Sequence, residues 1–155
     1  MPVITEKTAP STILIEGDMT ERHDEKVCTG EVKPGHIITR NSSDLVLKHA
    51  TAGAAPLAGG SVWVAKEDHV IGGGIDTAYA SGSRVFYHDP RKGDLLYCRV
   101  AAAATAITRD APLTSDGAGC LKLATSTDTV LAKAEEALDN SAGGSEAFIH
   151  ARWQA

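Results

Sequence analysis

The chain has 155 residues, a formal net charge of −5, and 43% hydrophobic but only 5% aromatic residues. That length suits one domain, which buries roughly 68–70% of its unfolded surface on folding. Alanine, valine, leucine and isoleucine must fill its core, with no need for metal or disulfide. The acidic balance argues against nucleic-acid binding, where lysine and arginine neutralise phosphates, and against docking on an anionic membrane. No window approaches the ~18 apolar residues of a membrane span. Met1-Pro2-Val3-Ile4-Thr5-Glu6-Lys7 lacks the basic and apolar regions of a secretory signal, so synthesis in a cytoplasm as a soluble protein is expected.

Cysteines stand at 28, 98 and 120. An odd count with wide spacing makes a poor disulfide framework, and without Cys-x-x-Cys a zinc site is not expected. Small buried thiols are the ordinary reading, with a single pairing left open.

Residues 1–11 mix Pro2, Thr5, Thr8, Pro10 and Ser11 with few large apolar groups and read as an N-terminal arm; residues 12–155 form the β-rich domain. Thr12-Ile13-Leu14-Ile15 is a short strand. The charged run from Glu16 to Lys26 reads as a solvated loop. Lys26-Val27-Cys28-Thr29 is a strand closed by Gly30. In Lys33-Pro34-Gly35-His36, proline presets φ and glycine accepts φ > 0, the requirement of a type II turn. Strands His36–Arg40 and Leu45–His49 flank a turn at Asn41-Ser42-Ser43-Asp44, the grammar of an antiparallel meander.

Residues 50–60 read as a small-residue loop, followed by a strand at Ser61–Glu67. Trp63 on this strand is a core anchor or part of a subunit interface, where tryptophan is enriched. Gly72-Gly73-Gly74 lacks the Lys-Ser/Thr of a phosphate loop and fits a tight turn. Ile75–Ala80 is one helical turn or a structured loop. Arg84–His88, a turn at Asp89–Asp94, and Leu95–Val100 read as a hairpin. Ala101–Ala104 is helical by propensity or a loop, and Asp110–Gly119 is turn-rich. Strands are expected at Cys120–Ala124 and Glu146–Trp153; the composition of Val130–Leu138 favours a helix, but its alternation permits a strand and its short-strand neighbours favour one. Short strands with frequent turns predict a mainly β fold, a single compact barrel or sandwich of antiparallel strands.

Catalytic patterns are lacking. The six histidines, at 23, 36, 49, 69, 88 and 150, show no metal-ligand spacing. Asp68-His69 has no accompanying nucleophile motif. Glu67-Asp68 and Glu135-Glu136 are neighbours, which face opposite sides of a strand and do not share a proton. Asp76 and Asp94 suit turns or caps. No calcium loop is present. The expectation is a binding or structural module with no cofactor and no enzymatic activity.

Several stretches, in order, resemble a family of small tailed-phage head decoration (cement) proteins. They are Val32-Lys33-Pro34-Gly35-His36-Ile37-Ile38, Leu47-Lys48-His49-Ala50-Thr51-Ala52-Gly53, and Gly74-Ile75-Asp76-Thr77-Ala78-Tyr79-Ala80-Ser81-Gly82-Ser83-Arg84-Val85. Pro90-Arg91-Lys92-Gly93-Asp94, Leu121-Lys122-Leu123-Ala124 and Ala134-Glu135-Glu136-Ala137-Leu138-Asp139-Asn140-Ser141 continue the pattern. The resemblance covers residues 27–153 and implies a jelly-roll or β-tulip-like module. It implies binding to the major capsid protein on the outside of an expanded capsid, across capsomer junctions, as a homo-oligomer (dimer or trimer). The location implied is the outer surface of the virion. The arm lies outside the match; Val3 and Ile4 are its candidate capsid-binding residues. Two other classes compete: a virion-surface module binding host or glycan, and a small hydrolase assembled from distant residues such as His69 and Asp76.

Overall fold

Turn residues cut the chain into runs too short for typical helices, and the runs pair as strands. The computed structural model describes residues 12–16, 23–53 and 62–155. Eleven strands, and no helix, are found among them. They are β1 (Leu14–Glu16), β2 (His23–Val27), β3 (Ile37–Arg40), β4 (Val46–Lys48), β5 (Trp63–Ala65) and β6 (Arg84–His88). After these come β7 (Leu95–Val100), β8 (Pro112–Ser115), β9 (Leu121–Leu123), β10 (Ala132–Ala134) and β11 (Ala147–Trp153).

One six-stranded sheet has the order β1-β7-β11-β10-β8-β9, and a further β7–β9 pairing closes five of these strands into a barrel. That closing pair is parallel, at Val100 and Leu121, while the others are antiparallel. A second sheet has the order β2-β6-β5-β3-β4. Just past β2, Cys28 forms a parallel bridge to Val46, so the two outer strands of this sheet also meet. The mainly β expectation is met.

Two cores result. The first holds Leu96, Val100, Leu113, Leu121, Ile149 and Trp153 inside the closed barrel. The second holds Val32, Ile38, Val46, Tyr79, Val85 and Tyr87. Successive residues of a strand face opposite sides, and β3 and β5 exploit this. Ile37 and Val64 enter the first core, while Ile38 and Trp63 enter the second. The second sheet is therefore a wall shared by both. Trp63 is 9% exposed and stacks on Tyr87 with ring centroids 4.4 Å apart. All three cysteines are buried and free.

Several local expectations change. Arg84–His88 and Leu95–Val100 are strands but not a hairpin. β6 has both edges occupied, by β2 and β5, and β7 pairs with β11 on one edge and with β1 and β9 on the other. The Asp89–Asp94 turn instead carries the chain from one sheet to the other. Asp94 holds this corner, its Oδ2 accepting from the Arg91 N–H (3.0 Å) and lying 2.8 Å from His88 Nε2. The meander is real only for β3–β4; the segment before it pairs with β6. The charged stretch ends in a strand, β2, because distant partners meet its charges: Glu25 accepts from Arg84 and Lys26 donates to Asp44, both at 2.7 Å. The turn-rich stretch contains β8, entered at Pro112, a position proline tolerates. Of 130–138 only Ala132–Ala134 is a strand, and Leu138 bridges Ile107. The segments 75–80 and 101–104 are loops. Upstream, the buried Glu67 accepts from the Thr12 hydroxyl (2.6 Å) and the Ile13 N–H (3.1 Å), tying β1's approach to the end of β5. The arm, residues 1–11, lies outside the described residues.

Candidate functional site

The most concentrated polar chemistry lies at the seam between the sheets, and the Pro34-Gly35 turn creates it. His36 N–H donates to Lys33 O at 3.1 Å, and Gly35 has φ +84°, the geometry of a type II turn. A Cβ on Gly35 would lie 2.8 Å from Phe148 Cε1 and 3.2 Å from Arg99 Cγ. Only glycine lets this turn come so close to the barrel.

That approach delivers a carbonyl to Arg99, the one charge in the apolar run of β7. Arg99 is 4% exposed. Its Nε donates to Pro34 O at 2.7 Å, its Nη1 to Glu146 Oε2 at 3.1 Å, and its Nη2 to Ile75 O at 2.7 Å and Asp76 Oδ1 at 3.1 Å. The guanidinium carbon sits 4.3 Å from the centroid of the Phe148 ring, which also stacks on Tyr97. A barrel side chain thereby ties together two loops of the second sheet. The planar fork of arginine suits several fixed acceptors at once.

His36 completes the seam. Its Nδ1 accepts the Lys33 N–H at 2.9 Å, which leaves the ring proton on Nε2 to be donated to Glu146 Oε1 at 3.1 Å. Burial pushes the His36 pKa down to about 4, against the opposing pull of the Glu146 hydrogen bond. For Glu146, burial acts to raise the pKa, but the His36 hydrogen bond and the nearby charges of His36 and Arg99 outweigh it and hold the carboxyl below its ordinary value. The Cys120 thiol lies 3.7 Å from Glu146 Oε1 and is pushed well above its ordinary pKa by burial and that carboxylate.

The ligand atoms of His36, Cys120 and Glu146 fall within 4.8 Å of one another, close enough to hold a metal ion. Their hydrogen bonds argue against one. A metal at Nε2 needs the proton moved to Nδ1, where it would face the Lys33 N–H. A metal there would also have to displace the Cys120 proton and the Nε2 proton that now bonds Glu146. The trio is a hydrogen-bonded junction.

This junction has a pH signature. His36 has a folded pKa of about 4 against an ordinary 6.5. Its contribution is complete above pH 6.5 and is lost as pH falls toward 4, a loss of about 3 kcal/mol. Glu146 acts in the same direction as pH falls through the carboxylate range, but the hydrogen bond is shared, so the two do not add. Urea midpoints at pH 7 and pH 4 test this. The wild type should lose more than His36→Gln, which cannot titrate, by about that amount; equal losses would contradict it.

Above the junction is an open groove of about 510 Å³, lined by Lys33, Asp76, Arg99, Ala102, Ser145 and Glu146. Ser145 supplies its one hydroxyl. Both His36 nitrogens are engaged elsewhere, so His36 is not free to act as a base toward that hydroxyl.

His49, His69, His88 and His150 make their contacts elsewhere. His49 Nδ1 lies 2.8 Å from Ser115 Oγ, and His150 Nδ1 lies 2.6 Å from Glu136 Oε1. His69 stacks on Phe86, whereas Asp76 engages Arg99, so the two residues of the hydrolase alternative serve different contacts. Trp63 is spent mainly inside the second core. Val3 and Ile4 lie outside the described residues. No sequence pattern marks Arg99, His36 and Glu146 as a site; a lone arginine among Leu95, Leu96, Cys98 and Val100 is the available signal.

Neither comparison with protein-family models nor comparison with curated proteins finds a match for this chain.

Proposed function

We propose that the chain is a capsid decoration protein, a non-enzymatic clamp on the outside of an expanded phage shell. One observation carries the reading. Two of the stretches that resemble the decoration family supply partners to the frame around Arg99 and Glu146: the 32–38 stretch supplies Pro34 O and His36, and the 74–85 stretch supplies Ile75 O and Asp76. Their polar groups are used to lock two sheets together, which suits a rigid module whose work is done by its outer surface.

The mechanism follows from binding thermodynamics. A standard interface buries about 800 Å² per partner. An oligomer that touches several copies of the major capsid protein gains avidity through effective concentration. Binding the expanded lattice and no other state stabilises that lattice by mass action. In this reading Val3 and Ile4 of the arm reach a neighbouring capsid subunit.

Purified chain mixed with expanded capsids lacking a decoration protein should co-sediment at a fixed ratio to the major capsid protein. Absence of pelleting with every capsid form would overturn the reading and favour the host- or glycan-binding alternative. Deleting residues 1–11 should lower occupancy at limiting concentration, while unchanged occupancy would remove the arm from the account.

A further inference from the structure

Val70 and Ile71 are each 75% exposed and are neighbours on the loop between β5 and β6. No other large apolar side chain among the described residues is so exposed. The loop is held in shape by its own hydrogen bonds. Asp68 Oδ1 accepts from the N–H groups of Val70 (3.1 Å) and Ile71 (3.3 Å), and Gly73 N–H donates to Asp68 O at 2.6 Å. Thr77 accepts from the Gly74 N–H at its hydroxyl (3.1 Å) and donates its own N–H to Gly74 O (3.0 Å). His69 lies over Phe86 at 5.9 Å. The two apolar side chains are presented on an ordered support.

Beside them lies an open groove of about 500 Å³, whose lining includes Val70, Ile71, Ala78, Ala80 and Phe86. Its charged lining residues are one acid, Asp68, and one base, Arg84. A matching partner would present a small apolar knob flanked by one acid and one base. The chain's own face has that description. Knob and groove on one face, with charges of both signs, are the makings of an isologous contact, in which the same patch serves both subunits.

We propose that two copies of the chain meet here about a twofold axis. Each places Val70 and Ile71 into the other's groove and sets Arg84 against the other's Asp68. Arg84 gives one N–H bond to Glu25, at 2.7 Å, and guanidinium has further donors. Asp68 likewise has acceptor capacity beyond its two loop bonds. The proposal rests on the oligomeric part of the reading above, and not on capsid binding. The patch is small beside the ~800 Å² per partner of a standard interface, so monomer and dimer should exchange.

Sedimentation velocity of the full chain over a wide concentration range tests it. The wild type should shift from monomer to dimer as concentration rises. The double variant Val70→Ser, Ile71→Ser should dimerise at least tenfold more weakly, with an unchanged thermal midpoint at concentrations where both proteins are monomeric, because both side chains are exposed there. Arg84→Glu should also weaken the dimer, more so at low salt. A wild type that stays monomeric, a trimer, or a double variant that dimerises like the wild type would overturn the proposal. A double variant that dimerises normally but no longer pellets with capsids would assign the face to the capsid protein instead. A dimer that disappears in the double variant, in a chain that binds no capsid, would leave this inference standing and remove the proposed function.

Discussion

Arg99→Met should cost the folded chain about 3–5 kcal/mol, the scale for removing one partner of a buried ion pair. Methionine keeps much of the stem volume, so the loss comes from hydrogen bonds and charge and not from a cavity. Without the guanidinium, Pro34 O and Ile75 O lose donors that now lie 2.7 Å away, and Glu146 loses its cationic neighbour. Each buried acceptor left unmet costs about 1–3 kcal/mol. For a domain of this size the thermal midpoint falls by roughly 2–4 °C per kcal/mol. Arg99→Lys should lose nearly as much, since a single ammonium cannot reproduce the planar fork that meets Pro34, Ile75, Asp76 and Glu146. Adding Glu146→Gln to Arg99→Met should cost less than the sum of the single changes, because the second substitution removes the stranded charge. Chemical denaturation measures all of these. A loss below about 1 kcal/mol for Arg99→Met would mean the seam is held elsewhere.

Gly35→Ala is the second large effect, about 2–5 kcal/mol, with two separable causes. At φ +84° any L side chain is strained, by about 1–2 kcal/mol. The new methyl also meets Phe148 Cε1 at 2.8 Å and Tyr97 O at 3.2 Å, overpacking that costs about 1–3 kcal/mol. Gly82 offers the control: its φ is +87°, and nothing lies within 4 Å of a Cβ placed there. Gly82→Ala should therefore show the strain alone. The difference between the two alanine variants measures how tightly the turn presses on the barrel, and equal losses would show that it does not press.

These effects concern the part of the fold hardest to read from sequence. The turn at Pro34-Gly35 is legible because its chemistry is local: proline and glycine meet the two dihedral demands of a type II turn. Most strands are legible for the same reason, from β-branched runs between breakers. Partner choice is not. The residues on either side of Asp89–Asp94 alternate like a hairpin, but alternation fixes which face is apolar and says nothing about which edge finds a neighbour. β6 and β7 join different sheets because their edges are filled by strands from elsewhere in the chain. β2 was hidden by its charges, which look solvated until Arg84 and Asp44 arrive from distant segments. Arg99 has its acceptors 65, 47 and 23 residues away, at Pro34, Glu146 and Asp76. No spacing rule connects them; the crossing of two sheets does.

A seam locked this way gives the proposed clamp its value. A module that bridges capsomers transmits load through its own frame, and a frame that yields would stabilise nothing. Arg99→Met should therefore weaken shell protection even where its binding face is intact.

The most direct measurement is the rupture temperature of expanded phage capsids with and without saturating chain. If the chain is a clamp, rupture shifts upward in step with occupancy, reaches a plateau at the binding ratio, and shifts less with Arg99→Met at equal occupancy. Capsids that bind the chain yet rupture at the temperature of bare shells would contradict the clamp.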